Sequence, residues 1–286
     1  ADYRATISDL LLENFTIPWD QGVNERNSLS RLQAHGSPGN LLDLYAASDI
    51  PEGETFGSNR FPIEGFHKYT IDKRNIEPDP VMMQFASSAA HVTGKNLVSS
   101  ETFTWLGEHF NIPLSECKPE LEQIFLAGVN HAFFHGTTYS PESAGWPGWL
   151  FYATVHFNPN NSFWPHIKGM NEYISRCQSI LQAGKPDNDV IVYWPVHDQW
   201  HHAGSLDRLF TVHNIDEWLH QTPFYATVQE LKGAGYTSDF ISDRMLANAK
   251  HSRGKIQTSA KGNPYKALIV PEMEYMEVTT LENIIA

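Results

Sequence analysis

The sequence predicts an α/β chain: β/α units of the kind that form the C-terminal half of a (β/α)8 TIM-type barrel, followed by the start of a doubly wound α/β domain. Three observations carry that prediction. Short apolar runs alternate with helical patterns along the 286 residues, as parallel βα units do. The first four candidate strands end at His35, Glu52, Glu101 and His135, and a barrel keeps its reactive residues at strand C-termini. A turn-rich linker, Gly184-Lys185-Pro186-Asp187-Asn188-Asp189, then precedes a fresh apolar run at Val190.

Taken in order, residues 3–16 place apolar side chains at helical spacing, with Pro18 read as the stop. Residues 29–35 read as a strand ended by Gly36-Ser37-Pro38, residues 40–45 as a short helix, and residues 47–52 as a strand closing at Pro51-Glu52. Residues 53–80 are rich in Gly, Pro, Asn and charge and read as a long surface loop, a frequent place for function. A helix is predicted over 81–93 with Gly94 as its stop, a strand over 96–101, a helix over 119–127 closed by Gly128, and a buried strand over 129–135. Residues 140–165 form an aromatic loop and 167–181 a helix. Beyond the linker, strands are predicted at 190–194, 237–241 and 266–270, with helical patterns over 206–219 and 223–233. The domains are thus 1–184 and 185–286. Four strands do not close an eight-stranded barrel and three do not finish a doubly wound sheet, so the chain is expected to be a segment of a longer protein.

Bulk properties narrow the function. Hydrophobic residues make up 41% and charged residues 19%, as in globular proteins generally. No apolar run approaches the ~18–20 residues of a membrane span. Ala1-Asp2-Tyr3-Arg4 shows no signal-peptide pattern, though a mature or excised chain would look the same. A net charge of −13 disfavours nucleic acid as a partner. Eight Trp and eleven Tyr suit either a large core or a site that stacks flat ligand faces. Cys117 and Cys177 lack metal-ligand spacing and read as two buried free thiols.

Cleaving a glycosidic bond usually takes two carboxyl groups. Glu52 and Glu101 are the leading candidates because each closes a predicted strand. Glu25, Glu54 and Glu64 lie in polar stretches and read more readily as surface charges. His35 and His135 suit either hydrogen bonds to sugar hydroxyls or the capping of buried strands. Trp105, Trp146, Trp149 and Trp164 suit either sugar stacking or packing. The G-x-S-x-G elbow, phosphate-binding glycine loops and H-E-x-x-H are missing, and His201-His202 reads as surface.

Several runs of residues resemble one family. Gln33-Ala34-His35-Gly36-Ser37-Pro38, Asp49-Ile50-Pro51-Glu52, Phe85–His91, Leu97–Trp105, His135–Pro141 and Pro147–Ala153 together resemble the bacterial α-L-rhamnosidases of glycoside hydrolase family 106. The resemblance implies a large periplasmic or secreted enzyme that removes terminal α-L-rhamnose from plant or bacterial glycans with inversion. It implies Glu52 as the base that activates water and Glu101 as a further essential carboxylate; the residue pattern itself supplies His35, Trp105, His135 and Trp146 as substrate-binding candidates. The partner acid would lie on an earlier barrel strand, so the rest of the polypeptide would complete the barrel. Calcium near the sugar hydroxyls is implied too, with Glu25 offered as its ligand, and residues 185–286 resemble part of a flavodoxin-like domain. Two other readings are a β-galactosidase-like barrel glycosidase and a non-catalytic carbohydrate-binding segment.

Overall fold

The structure, a computed structural model, describes residues 1–66 and 77–286. It begins with α1 (Asp2–Leu11) and α2 (Ile17–Asn24), joined by a π-helical turn over Leu12–Thr16. Pro18 therefore does not stop the first helix. It occupies the first turn of α2, a position where proline's missing N–H and fixed φ are tolerated. There follow β1 (Arg31–Leu32), α3 (Leu41–Ala46), β2 (Ile50–Phe56), α4 (Pro80–Thr93), β3 (Ser99–Thr104), α5 (Leu114–Leu126), β4 (His131–Phe134) and α6 (Ile167–Ala183). Next come β5 (Val190–Tyr193), α7 (Val196–His201), α8 (Ile215–Trp218), α9 (Pro223–Gly233), β6 (Ser238–Ile241) and α10 (Asp243–Leu246). A hairpin of β7 (Lys250–Ser252) and β8 (Lys255–Gln257), then β9 (Ala267–Ile269) and α11 (Val278–Ile285), complete the order. The result is a mixed α/β fold built on parallel strands.

Some elements differ from those predicted. Glu52 is the third residue of β2 and Glu101 the third of β3, so neither closes its strand. The strands run on because Thr55 and Phe56, and likewise Thr102 and Thr104, are buried β-branched or aromatic residues that favour extended backbone. The helix predicted over 206–219 shrinks to α8. Phe210 instead exchanges backbone hydrogen bonds with the turn at Gly36 and Ser37, at 2.8 and 3.1 Å, which holds it extended. Cys117 is buried as expected, but Cys177 is only half-buried; both are free thiols. The long loop expected from residue 53 begins after Phe56, and its residues 67–76 lie outside the described ones.

Two compact units divide the chain. The first comprises 1–53, 84–98 and 185–286, and the second 54–83 and 99–184. One border falls at the predicted linker, and two others pass through β2 and α4. In the first unit β1 runs parallel to the start of β2, with Arg31 opposite Ile50. A three-stranded parallel sheet, order β6-β5-β9, forms there as well. Its core is aromatic: Phe85, Trp194, Phe224 and Phe240 are each at most 1% exposed, with ring centroids 4.9–5.1 Å apart for Phe85–Trp194, Trp194–Phe224 and Phe224–Phe240. Gly94 ends α4 at φ +81°, and a Cβ there would come within 2.5 Å of the Lys261 backbone, so the position needs glycine for both reasons.

In the second unit the end of β2 lies beside β3, with Phe103 N–H donating to Thr55 Oγ1 at 2.8 Å and Gly57 N–H to the Thr104 carbonyl at 2.9 Å. β3 pairs in parallel with β4 from Ser99↔His131 to Thr102↔Phe134. Phe103, Phe134, Phe157 and Phe163 pack as its core, with centroids 4.8–5.5 Å apart in successive contacts.

Candidate active site

Glu52 is only 5% exposed. A buried carboxylate is costly unless it is paired, and β1 supplies the pairing. Arg31 faces Ile50 across the parallel pair, and side chains two apart share a face of a strand. Arg31 and Gln33 therefore come to the same side as Glu52. Arg31 Nη1 lies 3.3 Å from Glu52 Oε2, and Gln33 Nε2 donates to Oε1 at 3.1 Å. In the same unit His35 Nδ1 is hydrogen-bonded to the Tyr45 hydroxyl at 3.1 Å. Glu25 caps the C-terminal end of α2 and is exposed. Among the described residues no three His, Cys, Asp or Glu side chains gather where they could hold a metal ion. Glu25 is therefore in no such group, and the side chains found offer no set of carboxylates to join it around the calcium that the resemblance implies.

In the second unit Glu101 faces Phe133 in the β3–β4 register, which brings His135, two residues further on, to the same face. His135 Nδ1 lies 2.6 Å from Glu101 Oε1, and Thr104 Oγ1 donates to that oxygen at 3.1 Å. His135 Nε2 meets the Tyr152 carbonyl at 3.4 Å, and its ring lies 5.2 Å from Phe151. Burial pushes this imidazole's pKa down, but the hydrogen bond and charge of Glu101, the Tyr152 carbonyl and the charge of Glu54 outweigh it, and the net pKa is raised. Trp105 is half-buried; its backbone N–H donates to the Ala153 carbonyl at 2.8 Å and its ring lies 6.2 Å from Tyr152. The segment 151–153 thus ties Glu101, His135 and Trp105 into one cluster. Glu54 joins it through its charge, whereas Glu64 is exposed on the following loop.

Trp146 belongs to a neighbouring group in the same unit. It is 77% exposed, with its ring 6.2 Å from Phe110. Phe110 stacks on His156 at 4.7 Å and 10°, and His156 Nε2 lies 3.1 Å from His109 Nδ1. Burial and the neighbouring His109 drive the His156 pKa down to about 4, so this ring is neutral at ordinary pH. Phe103, Trp105, Phe110, Ala153 and His156 all have positive φ. Such backbone is costly for residues other than glycine and tends to collect at functional sites. Trp149 and Trp164 are exposed by 57% and 38%. The sequence reading missed Arg31, Gln33, Tyr152, His109 and His156 as partners, since none lies in a recognisable catalytic motif.

The model of the alpha-L-rhamnosidase family, glycoside hydrolase family 106, matches residues 1–204. The chain belongs to that family. A curated protein of Formosa agariphila, named provisionally a beta-glucuronidase, is 27% identical over 99% of this chain. The solved structure of a rhamnosidase from Novosphingobium sp. PP1Y has a similar fold, with a TM-score of 0.69 over 99% of the chain at 18% identity. The chain spans 21% of the first protein and 24% of the second. Within this rhamnosidase family segment, Glu52 is held by Arg31 on β1 and by Gln33 just past it, and Glu101 by His135 just past β4.

Proposed function

We propose that this chain is a segment of an inverting α-L-rhamnosidase that releases terminal L-rhamnose from plant or bacterial glycans. The observation that carries most weight is Glu52, a buried carboxylate oriented by Arg31 and Gln33 in a chain of the rhamnosidase family. Inversion needs an acid and a base. In this reading Glu52 accepts a proton from water as the water oxygen attacks the anomeric carbon. The bond to the leaving oxygen breaks, and an acid on an earlier strand of the longer polypeptide protonates that oxygen. Glu101 is the further active-site carboxylate, oriented by His135 and Thr104. His35, His135, Trp105 and Trp146 bind the sugar, the tryptophans through their ring faces.

The finer architecture belongs to the same proposal: 1–184 as the C-terminal half of a (β/α)8 barrel, 185–286 as part of a flavodoxin-like domain, and a periplasmic or secreted location. No helix of the described residues is long and apolar enough to cross a membrane. A second reading, a β-glucuronidase, is favoured by the name of the Formosa agariphila protein. The test is to assay the full-length protein on aryl α-L-rhamnoside, aryl β-D-glucuronide and aryl β-D-galactoside, following the first-formed anomer by NMR. Rhamnoside cleavage giving the β anomer first is expected. Cleavage of the glucuronide or galactoside alone, or retention, would overturn the reading.

A further inference from the structure

The β6-β5-β9 sheet places β5 in the centre. From β5 the chain passes through α7, α8 and α9 to β6 on one side, then returns through α10 and the β7–β8 hairpin to β9 on the other. The loops that leave β5 and β9 therefore part company at the carboxyl ends of two adjacent parallel strands. Such a switch point leaves a crevice, and open α/β sheets bind ligands there. A cavity of about 480 Å³ lies at this place, within the range of ~300–1,000 Å³ usual for small-molecule sites. Its walls come from Pro195 to His202 after β5 and from Glu272 to Tyr275 after β9, with Arg208, Glu217 and Gln221 between.

The two walls are fastened together. Asp198 Oδ1 accepts the Tyr275 N–H at 2.8 Å and the Glu274 N–H at 3.2 Å. The Tyr275 ring lies flat on His201, 3.7 Å away at 5°, and stays 42% exposed. Arg208 Nη2 donates to Gln199 Oε1 at 2.9 Å and to the Glu217 carbonyl at 2.8 Å. Its Nε is buried and has no partner among the described residues, and a buried donor left without an acceptor is costly.

The lining chemistry selects the ligand. Asp198, Glu217, Glu272 and Glu274 outnumber Arg208, a balance that repels phosphate. The turn after β5, Trp194-Pro195-Val196-His197, has no glycine with which to cradle one. The described residues hold no group of His, Cys, Asp or Glu fit for a metal ion. What the cavity offers is carboxylate and amide acceptors, amide donors from Gln199 and Gln221 and a flat stacked pair of rings. A ligand rich in hydroxyls, uncharged and with a flat apolar face matches all of these. We propose that this crevice is a binding site for a small neutral saccharide. The proposal stands on the sheet topology and the lining residues and does not depend on which glycoside the protein cleaves.

The test is calorimetric titration of the full chain with methyl α-L-rhamnoside, methyl β-D-galactoside and methyl β-D-glucoside, with AMP and inorganic phosphate run alongside. At least one neutral glycoside is expected to bind. Tyr275→Ala should weaken that binding at least ~10-fold, in line with the loss of a stacking face, and Glu272→Gln should weaken it at least ~3-fold as a charge-assisted hydrogen bond becomes neutral. If Tyr275→Ala fails to fold, the exposed Glu272→Gln decides. Glu52→Gln should leave this binding unchanged, which separates it from sugar binding at the proposed catalytic carboxylates. Failure of all three glycosides to bind, binding indifferent to Tyr275→Ala and Glu272→Gln, or binding of AMP or phosphate in their place would overturn the proposal.

Discussion

The two compact units differ in where their tryptophans sit and in what holds their candidate carboxylates. In the first, the large aromatics Trp194, Trp218, Phe85 and Phe240 are sealed in a core, and Glu52 is buried against Arg31, whose charge does not change with pH. In the second, Trp146, Trp149, Tyr139 and Tyr152 are more than half exposed, and Glu101 is paired with His135, whose charge does. Residue type therefore does not assign the role; the environment does. A tryptophan packed from all sides stabilises the fold, whereas one on an exposed loop has a ring face free for a ligand. Glu52 thus keeps a charged partner at every ordinary pH, while the partner of Glu101 gains and loses its charge with pH.

Substitutions on the two sides of that contrast should differ in size and in pH dependence. The largest stability effect is expected for Trp194→Ala, which empties a site only 1% exposed and should cost about 3–5 kcal/mol in urea unfolding. Arg31→Met comes next. It leaves the Glu52 carboxylate buried without its guanidinium while the Gln33 hydrogen bond stays, and should cost about 2 kcal/mol by the same measurement.

Glu101→Gln should be milder and pH-dependent. Burial alone pushes the His135 pKa down, and Glu101 is the main group raising it, so the His135 midpoint, followed by NMR, should fall in this variant. The sign for stability follows. A raised folded-state pKa stabilises fully below the unfolded value near ~6.5, and the contribution is lost as pH rises through the folded value. Because the pair is partly exposed, the loss in Glu101→Gln should be about 0.5–1 kcal/mol near ~pH 6 and close to nil near ~pH 9. The smallest effect belongs to Trp146→Ala. At 77% exposure its stability should stay within about 0.5 kcal/mol of the parent, while KM for the glycoside rises in the full-length protein.

The features legible in the sequence were local ones. α4 and its stop at Gly94 showed because helical periodicity and a glycine C-cap are written in consecutive residues. β5, α9 and β6 showed for the same reason: apolar runs and turn signals bracket them. Family motifs marked Glu52 and Glu101, yet their partners could not be read. Gln33 reaches Glu52 only through the register of β1 against β2, and His135 reaches Glu101 only through that of β3 against β4. Register depends on which strands pair, and that is not a local property. The His109–His156 contact spans 47 positions and leaves no local pattern. The helix predicted over 206–219 failed where Phe210 pairs with a turn far away in sequence.

The role proposed for Glu52, held in place by Arg31 and Gln33, is that of the base of an inverting rhamnosidase. Its most direct test is kcat and KM of the full-length Glu52→Gln variant on an aryl α-L-rhamnoside. The amide keeps the shape and most hydrogen bonds but cannot take a proton from water, so kcat should fall by about 10²-fold or more with KM little changed. Near-normal kcat in a folded Glu52→Gln protein would contradict the assignment.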